Sequence, residues 1–155
     1  MTRFKLVATG GTFDMIHRGH LELLKGAFSV SSKVIIGLTS DEFAKKKGKN
    51  PENDYSVRYK TLEDAIRKNF PNSQYIIAKL DNDFGPAVLE KGVEALVVSD
   101  ETASKGDVLN KLRAEKNSPP VEVVVIPLVL AKDGTRISTT RIKKSEIDSN
   151  GNILN

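Results

Sequence analysis

The chain has 155 residues, of which 39% are apolar and 28% charged, and it carries a formal charge of +4 at pH 7. This length fits one domain over residues 1–155 with a single continuous core, and the composition excludes disordered, fibrous and coiled-coil chains. The chain contains no cysteine, which excludes disulfides, thiolate metal sites and cysteine nucleophiles.

Hydropathy and aromatic content predict the compartment and the partners. No apolar run approaches the roughly 20 residues that span a bilayer, and the chain shows no apolar signal core before its first predicted strand. We therefore expect a cytoplasmic protein without a membrane partner. The basic excess suits anionic ligands, but 6% aromatic residues and no Trp offer few stacking platforms, so no nucleic-acid partner is expected.

The first predicted elements alternate between strand and helix. Residues 4–9 form an apolar run that ends at a Gly-Gly turn, and residues 19–28 carry apolar side chains near helical spacing. Residues 33–39 are a second buried strand. The polar, lysine-rich segment 40–54 is expected to be mostly loop, with one short helical turn.

The alternation continues in the middle of the chain. A helix is predicted over residues 57–70, with Ser56 as its N-cap, and a strand follows over residues 74–80. Residues 86–91 are a short helical candidate, and residues 95–99 are a further buried strand.

The last elements complete the pattern. Residues 107–116 are predicted to be a helix. Its inward-facing residues are expected to be Val108, Leu109 and Leu112. Residues 121–130 form the last strand, which Pro127 places at a sheet edge or before a bend. Ser138 or Thr139 then caps a final helix, and residues 148–155 are expected to be a surface tail.

Short apolar strands separated by helices predict a Rossmann-like α/β domain, in which a parallel sheet of about five strands is covered by helices on both faces. Ligands of such sheets bind at the carboxyl ends of the strands, where the winding direction reverses. We therefore expect functional residues in the loops after the first, fourth and fifth strands.

The segment after the first strand, residues 9–20, contains both histidines of the chain. Gly10 and Gly11 allow the backbone to come close to a bound oxyanion, and His17 and His20 lie three residues apart where a helix begins. Unpaired N–H groups and the helix dipole add positive potential there. These features predict a polyphosphate site.

Two other interpretations of the histidine pair stay open at this point. Histidines spaced i and i+3 at a helix start also fit a helix cap or a partly buried pair, and the spacing permits a zinc site. Zinc is disfavoured because the chain has no cysteine and no third histidine, and because no glutamate lies between the two, as in metalloprotease helices.

Two motifs carry a resemblance to a known superfamily. GGTFDMIHRGH, residues 10–20, resembles the GTFD and HxGH signature of nucleotidyltransferases, and ISTTRIK, residues 137–143, resembles their second signature, ISSTxIR. Residues 37–42, 98–102 and 145–148 extend the similarity. Nearly the whole chain thus resembles the archaeal and eukaryotic type of the phosphopantetheine adenylyltransferase family.

This resemblance implies an enzyme that forms dephospho-coenzyme A and pyrophosphate from ATP and 4′-phosphopantetheine, with Mg²⁺ held by phosphate oxygens and by no protein ligand. The implied catalytic residues are Thr12, which would align the acceptor phosphate and the α-phosphate, and His17 and His20, which would donate to the triphosphate. The implied ATP-binding residues are Gly10, Gly11, Phe13, His17, His20, Ser138, Thr139, Thr140 and Lys143.

The resemblance also implies acceptor-binding residues. They are Thr12, Arg113 and one lysine of the run Lys45, Lys46, Lys47 and Lys49, with Lys45 or Lys46 favoured. The lysines equally fit a solvated charge run, and Arg113 equally fits a helix surface. Lys143 stands where the superfamily usually has an arginine, so the bidentate grip on a phosphate would be lost there.

Related enzymes and other classes of protein remain as alternatives. Glycerol-phosphate cytidylyltransferases and flavin adenylyltransferases share these signatures, although KDGTRIS at residues 132–138 departs from the RTxGISTT run of the cytidylyltransferases. A non-catalytic nucleotide sensor would have no need of both histidines. A nucleic-acid-binding protein would lose affinity steeply with salt and leave the histidines unexplained.

Overall fold

Short runs rich in valine and isoleucine form the strands of a parallel sheet, and the polar segments between them form helices and loops. The computed structural model describes residues 3–85, 90–99 and 103–127. The strands are β1 Phe4–Gly11, β2 Ser31–Thr39, β3 Tyr75–Leu80, β4 Ala95–Ser99 and β5 Glu122–Ile126. The helices are α1 Arg18–Val30, α2 Asp41–Lys46, α3 Tyr55–Asn69 and α4 Lys105–Glu115.

The strands follow the order β3-β2-β1-β4-β5, and every neighbouring pair is parallel. The winding direction reverses at β1, since the chain fills one side of the sheet with β2 and β3 and the other side with β4 and β5. The predicted Rossmann-like α/β fold is confirmed. The carboxyl ends of β1 and β4 therefore flank the crevice in which such sheets bind ligands.

Successive residues of β1 contribute to two different apolar layers. Val7 belongs to the layer that contains Leu24 of α1 and Leu62 of α3, whereas Ala8 belongs to the layer that contains Leu109 of α4. Neighbouring strand residues point to opposite faces, so a shift by one residue would expose both layers. Burial thus fixes the register, and the register fixes which residues reach the carboxyl edge.

One predicted helix cap and one predicted turn differ from the structure. Helix α3 begins at Tyr55 because Asp54, not Ser56, is its N-cap, and the Asp54 carboxylate accepts from the N–H of Val57 at 3.0 Å. The glycine pair was expected to form a turn after the first strand, but it continues β1 in register with β2. The turn therefore begins at Thr12.

The inward face of α4 differs in one position from the prediction. Leu109 is fully buried and Leu112 packs against the same layer, as expected. Val108 is instead 53% exposed. Its neighbour Leu109 and the buried Gly106 face the sheet, so a side chain at 108 points away from it.

The end of the sheet follows the prediction as far as it is described. Strand β5 lies at the edge and ends at Ile126, directly before Pro127. Four predicted features fall wholly or mostly outside the described residues. These are the helical candidate over residues 86–91, the end of the strand over 121–130, the helix capped by Ser138 or Thr139, and the tail over 148–155. Among the helices of the described ranges, none has the length and apolar character needed to cross a membrane.

Candidate active site

The loop between β1 and α1 crosses the carboxyl edge of the sheet where the winding direction reverses. Gly10 and Gly11 end β1, and Thr12 and Phe13 begin the loop. Phe13 is buried and has a φ of +49°, a left-handed conformation that a bulky residue adopts only when its surroundings hold it there. The buried ring therefore holds the turn that leads the chain into α1.

His17 and His20 form a capping box at the start of α1. Nδ1 of His17 accepts from the N–H of Gly19 at 3.0 Å, and Nδ1 of His20 accepts from the N–H of His17 at 3.2 Å. The two rings stack with their centroids 3.8 Å apart. Because both Nδ1 atoms accept, each neutral ring carries its proton on Nε2.

The helix-cap interpretation of the histidine pair is therefore correct for one nitrogen of each ring, and it is compatible with phosphate binding by the other. A phosphate oxygen is a hydrogen-bond acceptor, so Nε2–H would be a suitable donor to it. Gly19 belongs to the same arrangement, because a Cβ at this position would lie 2.8 Å from Cε1 of His17. The spacing HxGH thus reflects a packing requirement as well as a chemical one.

The environment keeps His20 neutral. Its pKa is lowered from 6.5 to about 3, chiefly by burial and then by the charges of His17 and Lys49, while a hydrogen bond with the main chain of Met15 acts in the opposite direction. The ring of Phe13 packs against it with 5.0 Å between centroids. Near pH 7, His20 therefore offers a hydrogen-bond donor without a positive charge.

Three lysines, here called the lysine cluster, lie close enough together for their charges to interact, and the charge of Lys49 also acts on His20. They are Lys47, Lys49 and Lys105. Burial lowers the pKa of Lys105, and the charges of Lys47 and Lys49 lower it further, while Asp83 opposes the shift. Lys47 also forms an ion pair with Asp83, with Nζ and Oδ1 3.1 Å apart. The cluster concentrates positive charge at the carboxyl edge of the sheet.

Lys45 and Lys46, the lysines that the resemblance favoured for the acceptor, lie in the last turn of α2. Both are exposed, and α2 follows the carboxyl end of β2 directly. They are thus at the expected edge, and their contact with an acceptor stays a prediction. Lys49, which belongs to the same predicted lysine run, lies three residues beyond Lys46.

Arg58 of α3 is a site residue that the sequence analysis missed. It is fully buried, and its guanidinium donates to the main-chain oxygens of Thr12 at 3.0 Å, Thr39 at 2.8 Å and Asn53 at 3.0 Å. Nη2 also donates to the carboxylate of Asp41 at 2.7 Å. One side chain thereby joins the ends of β1 and β2 to the start of α2 and to the loop before α3.

Helical spacing could have identified Arg58. It lies four residues before Leu62 and eight before Ile66, and both of these are fully buried on α3. An arginine on the apolar face of a helix needs acceptors inside the fold. The sequence indicates that such acceptors exist but does not identify them.

Asp14 of the GTFD motif holds the loop that follows residues 45–49, here called the lysine segment. Its carboxylate accepts from the N–H groups of Glu52 and Asn53 at 3.0 and 3.1 Å, and from Nδ2 of Asn53 at 3.3 Å. These three donors tie the carboxylate to residues 52 and 53. Within the ranges that the structure describes, no group of three or more His, Asp or Glu residues could hold a metal ion.

Arg113 lies at the opposite end of the sheet from the predicted acceptor site. It is fully buried, and its guanidinium donates to the main-chain oxygens of Pro119, Glu90 and Val93, at 2.7, 3.0 and 3.3 Å. These carbonyls precede β4 and β5, so they lie at the amino ends of the strands. The prediction that Arg113 contacts the acceptor is thus corrected, because its side chain is enclosed at the end remote from the crevice.

The remaining predicted site residues lie in the C-terminal part of the chain. Ser138, Thr139, Thr140 and Lys143 are outside the described residues. Their contacts with ATP stay predictions. The structure brings together the other predicted residues of the triphosphate site, which are Gly10, Gly11, Thr12, Phe13, His17 and His20.

Comparison with protein families matches residues 8–145 to the cytidylyltransferase-like family. A protein of Methanothermobacter thermautotrophicus named phosphopantetheine adenylyltransferase is 42% identical over 152 residues, which cover 98% of this chain and 91% of that protein. A protein of the same name from Pyrococcus horikoshii is 41% identical and covers 98% of this chain and 96% of its own.

Comparison with solved structures supports the same fold. The crystal structure of a protein of unknown function from Archaeoglobus fulgidus aligns with a TM-score of 0.68 and 27% identity. The alignment covers 78% of this chain and 97% of that one. The sheet and its flanking helices are therefore shared with a chain of similar extent.

Proposed function

The chain belongs to the cytidylyltransferase-like family, among its archaeal phosphopantetheine adenylyltransferases, and from that premise we propose that it transfers the adenylyl group of ATP to 4′-phosphopantetheine. The products are dephospho-coenzyme A and pyrophosphate. The observation that carries the proposal is the HxGH pair at the reversal point of the sheet, in a chain similar over nearly its whole length to proteins named for this activity.

The reaction needs positioning rather than a protein nucleophile. An oxygen of the acceptor phosphate forms a bond to the α-phosphorus of ATP, and the bond from that phosphorus to the oxygen bridging to the β-phosphate breaks. Pyrophosphate leaves with the electron pair. Thr12, at the end of β1, lies where it can align the acceptor phosphate with the α-phosphate, so that attack is in line.

The histidine pair and the start of α1 stabilise the triphosphate. Nε2–H of His17 and of His20 donates to phosphate oxygens as negative charge develops on the leaving group. The N–H groups of the first helical turn and the helix dipole act in the same direction. The low pKa of His20 suits this role, because a donor that is always neutral does not change its protonation state between binding and release.

The lysine cluster supplies the positive charge that neutral His20 does not. Lys49 is near His20, and Lys105 lies at the start of α4, which follows the carboxyl end of β4. A phosphorylated acceptor that enters the crevice between β1 and β4 would meet both. Mg²⁺, which the family resemblance implies, would be held by the phosphate oxygens of ATP and would neutralise part of their charge.

An acceptor and nucleotide panel tests this function. Pyrophosphate release is measured with ATP or CTP against 4′-phosphopantetheine, glycerol phosphate and flavin mononucleotide, with and without Mg²⁺. We expect turnover with ATP, 4′-phosphopantetheine and Mg²⁺, and little turnover with CTP. Equal rates with CTP and glycerol phosphate, or turnover only with flavin mononucleotide, would replace the proposed substrate with that one.

A further inference from the structure

Arg58 connects four segments at the carboxyl end of the sheet, although it lies too deep to contact a substrate. The residue is fully buried, and its guanidinium has hydrogen-bond partners on every nitrogen. Three of the four acceptors are main-chain oxygens. Such oxygens belong to the backbone itself, so the contacts fix the path of the chain and not only the position of a side chain.

The contact with Thr12 fixes the first residue of the loop between β1 and α1. This loop, residues 12–17, is called the phosphate-binding loop below, in line with the proposed function. The oxygen of Thr12 belongs to the peptide group that joins it to Phe13, whose φ is +49°. Nη1 of Arg58 donates to this oxygen and also to the oxygen of Thr39, at the end of β2. The orientation of the Thr12–Phe13 peptide is therefore tied to a rigid strand end.

The contact with Asn53 links the same loop to the segment that follows the lysines. Nε of Arg58 donates to the main-chain oxygen of Asn53, while the N–H and the side-chain amide of Asn53 donate to Asp14. The phosphate-binding loop is thus joined to the residues after the lysine segment by two sets of contacts. One runs through Arg58 to Asn53, and the other runs from Asn53 to Asp14.

We propose that Arg58 is a positioning residue for the acceptor, which fixes the separation between Thr12 and the lysine segment so that both can hold one phosphate. The kinetic effect predicted from this inference rests on the proposed function, whereas the predicted effect on the loops does not. A lysine at position 58 would keep the charge yet lack the planar fork that reaches several acceptors at once. The loops would then become mobile while the fold remains.

Arg113 provides a matched control at the other end of the sheet. Both arginines are fully buried, and both donate to three main-chain oxygens. Arg58→Lys and Arg113→Lys should therefore each lower Tm by about 10 °C, because each leaves buried carbonyls without donors. Any difference between the two variants in loop mobility or catalysis then arises from where each arginine lies in the sheet, and not from general destabilisation.

Amide hydrogen exchange gives the readout that is independent of activity. We expect Arg58→Lys to speed exchange by about tenfold or more over residues 12–17 and 50–54, and Arg113→Lys to do so over residues 90–94 and 117–121 instead. If Arg58→Lys leaves exchange over residues 12–17 at the wild-type rate, the proposal is wrong, whatever the enzyme's substrate.

Kinetics at a temperature where both variants are folded give the second readout. Arg58→Lys should lower kcat about tenfold or more and raise KM for the acceptor, with KM for ATP nearly unchanged, while Arg113→Lys keeps both constants within about twofold. Equal losses in the two variants would overturn the proposal. A wild-type enzyme inactive with 4′-phosphopantetheine would instead overturn the proposed function, and the exchange result would still stand.

A milder variant covers the case in which Arg58→Lys does not fold. Asp41 contacts the same guanidinium but its side chain is 52% exposed, so Asp41→Ala removes one contact near the surface and keeps the three main-chain contacts of Arg58. We expect it to raise exchange over residues 12–17 and to lower kcat by about threefold. Wild-type exchange and kcat in this folded variant would contradict the proposal as directly as the first result.

Discussion

The two ends of the parallel sheet each contain a fully buried arginine, but they differ in the groups beside it. At the carboxyl end, Arg58 holds the loop that begins with Thr12, and both histidines lie at the end of that loop with Lys49 near them. At the amino end, Arg113 holds the segments before β4 and β5. A buried arginine therefore identifies loops that need donors, whereas the neighbouring groups decide whether those loops form a site.

Removing a histidine should give the largest effect at the carboxyl end. His20→Asn keeps a side-chain acceptor for the N–H of His17 but loses the Nε2–H donor, so we expect kcat to fall about a hundredfold with folding intact. His20→Ala should show the same kinetic loss together with a lower Tm, because the cap is lost as well. Steady-state kinetics and thermal unfolding separate the two effects. An unchanged kcat in His20→Asn would leave His20 with a capping role alone.

Weakening the contacts between Asp14 and the residues after the lysine segment should change the kinetics less than the loss of His20 does. Asp14→Asn replaces one carboxylate oxygen with an NH₂ group, so one of the N–H groups of Glu52 and Asn53 loses its acceptor. We expect KM for 4′-phosphopantetheine to rise about tenfold, while KM for ATP changes little. Initial rates at varied acceptor concentration measure this. A rise in KM for ATP alone would place Asp14 on the nucleotide side instead.

The sequence predicts the features that depend on local spacing along the chain, but not the contacts between distant residues. The strand and helix pattern predicts the fold and the carboxyl edge, and the HxGH spacing predicts the histidine pair, because both depend on local periodicity. The partners of Arg58 and Arg113 are distant along the chain, up to 46 residues for Arg58, and no local pattern identifies them. Arg113 was therefore assigned to the wrong end, and Arg58 was missed.

The lysines provide a comparison within the carboxyl end. Lys49 is near His20, whereas Lys46 is exposed on α2. We expect Lys49→Ala to raise KM for 4′-phosphopantetheine about fivefold and Lys46→Ala to raise it less than twofold, since a charge closer to the bound phosphate contributes more. The same initial-rate assay measures both. The reverse order would restore Lys46 as the acceptor-binding residue that the family resemblance implies.

The low pKa of His20 predicts that stability depends on pH. The folded-state value is about 3 and the ordinary value 6.5, so the unfolded chain binds an additional proton between these pH values. This contribution to stability is complete above pH 6.5 and is lost as the pH falls toward 3. His20→Asn lacks this group, so its Tm should decline less steeply below pH 6.5 than that of the wild type. Parallel declines would show that His20 has an ordinary pKa.

The fate of the α-phosphorus of ATP tests whether adenylyl transfer takes place at the carboxyl end of the sheet. ATP labelled at the α-phosphorus is incubated with 4′-phosphopantetheine and wild-type protein, His20→Asn or Arg113→Lys, each at equal folded concentration. If adenylyl transfer takes place at the carboxyl end, the wild type and Arg113→Lys move the label into dephospho-coenzyme A at similar rates, and His20→Asn does so about a hundredfold more slowly. Label transfer that is lost in Arg113→Lys but kept in His20→Asn would contradict the account.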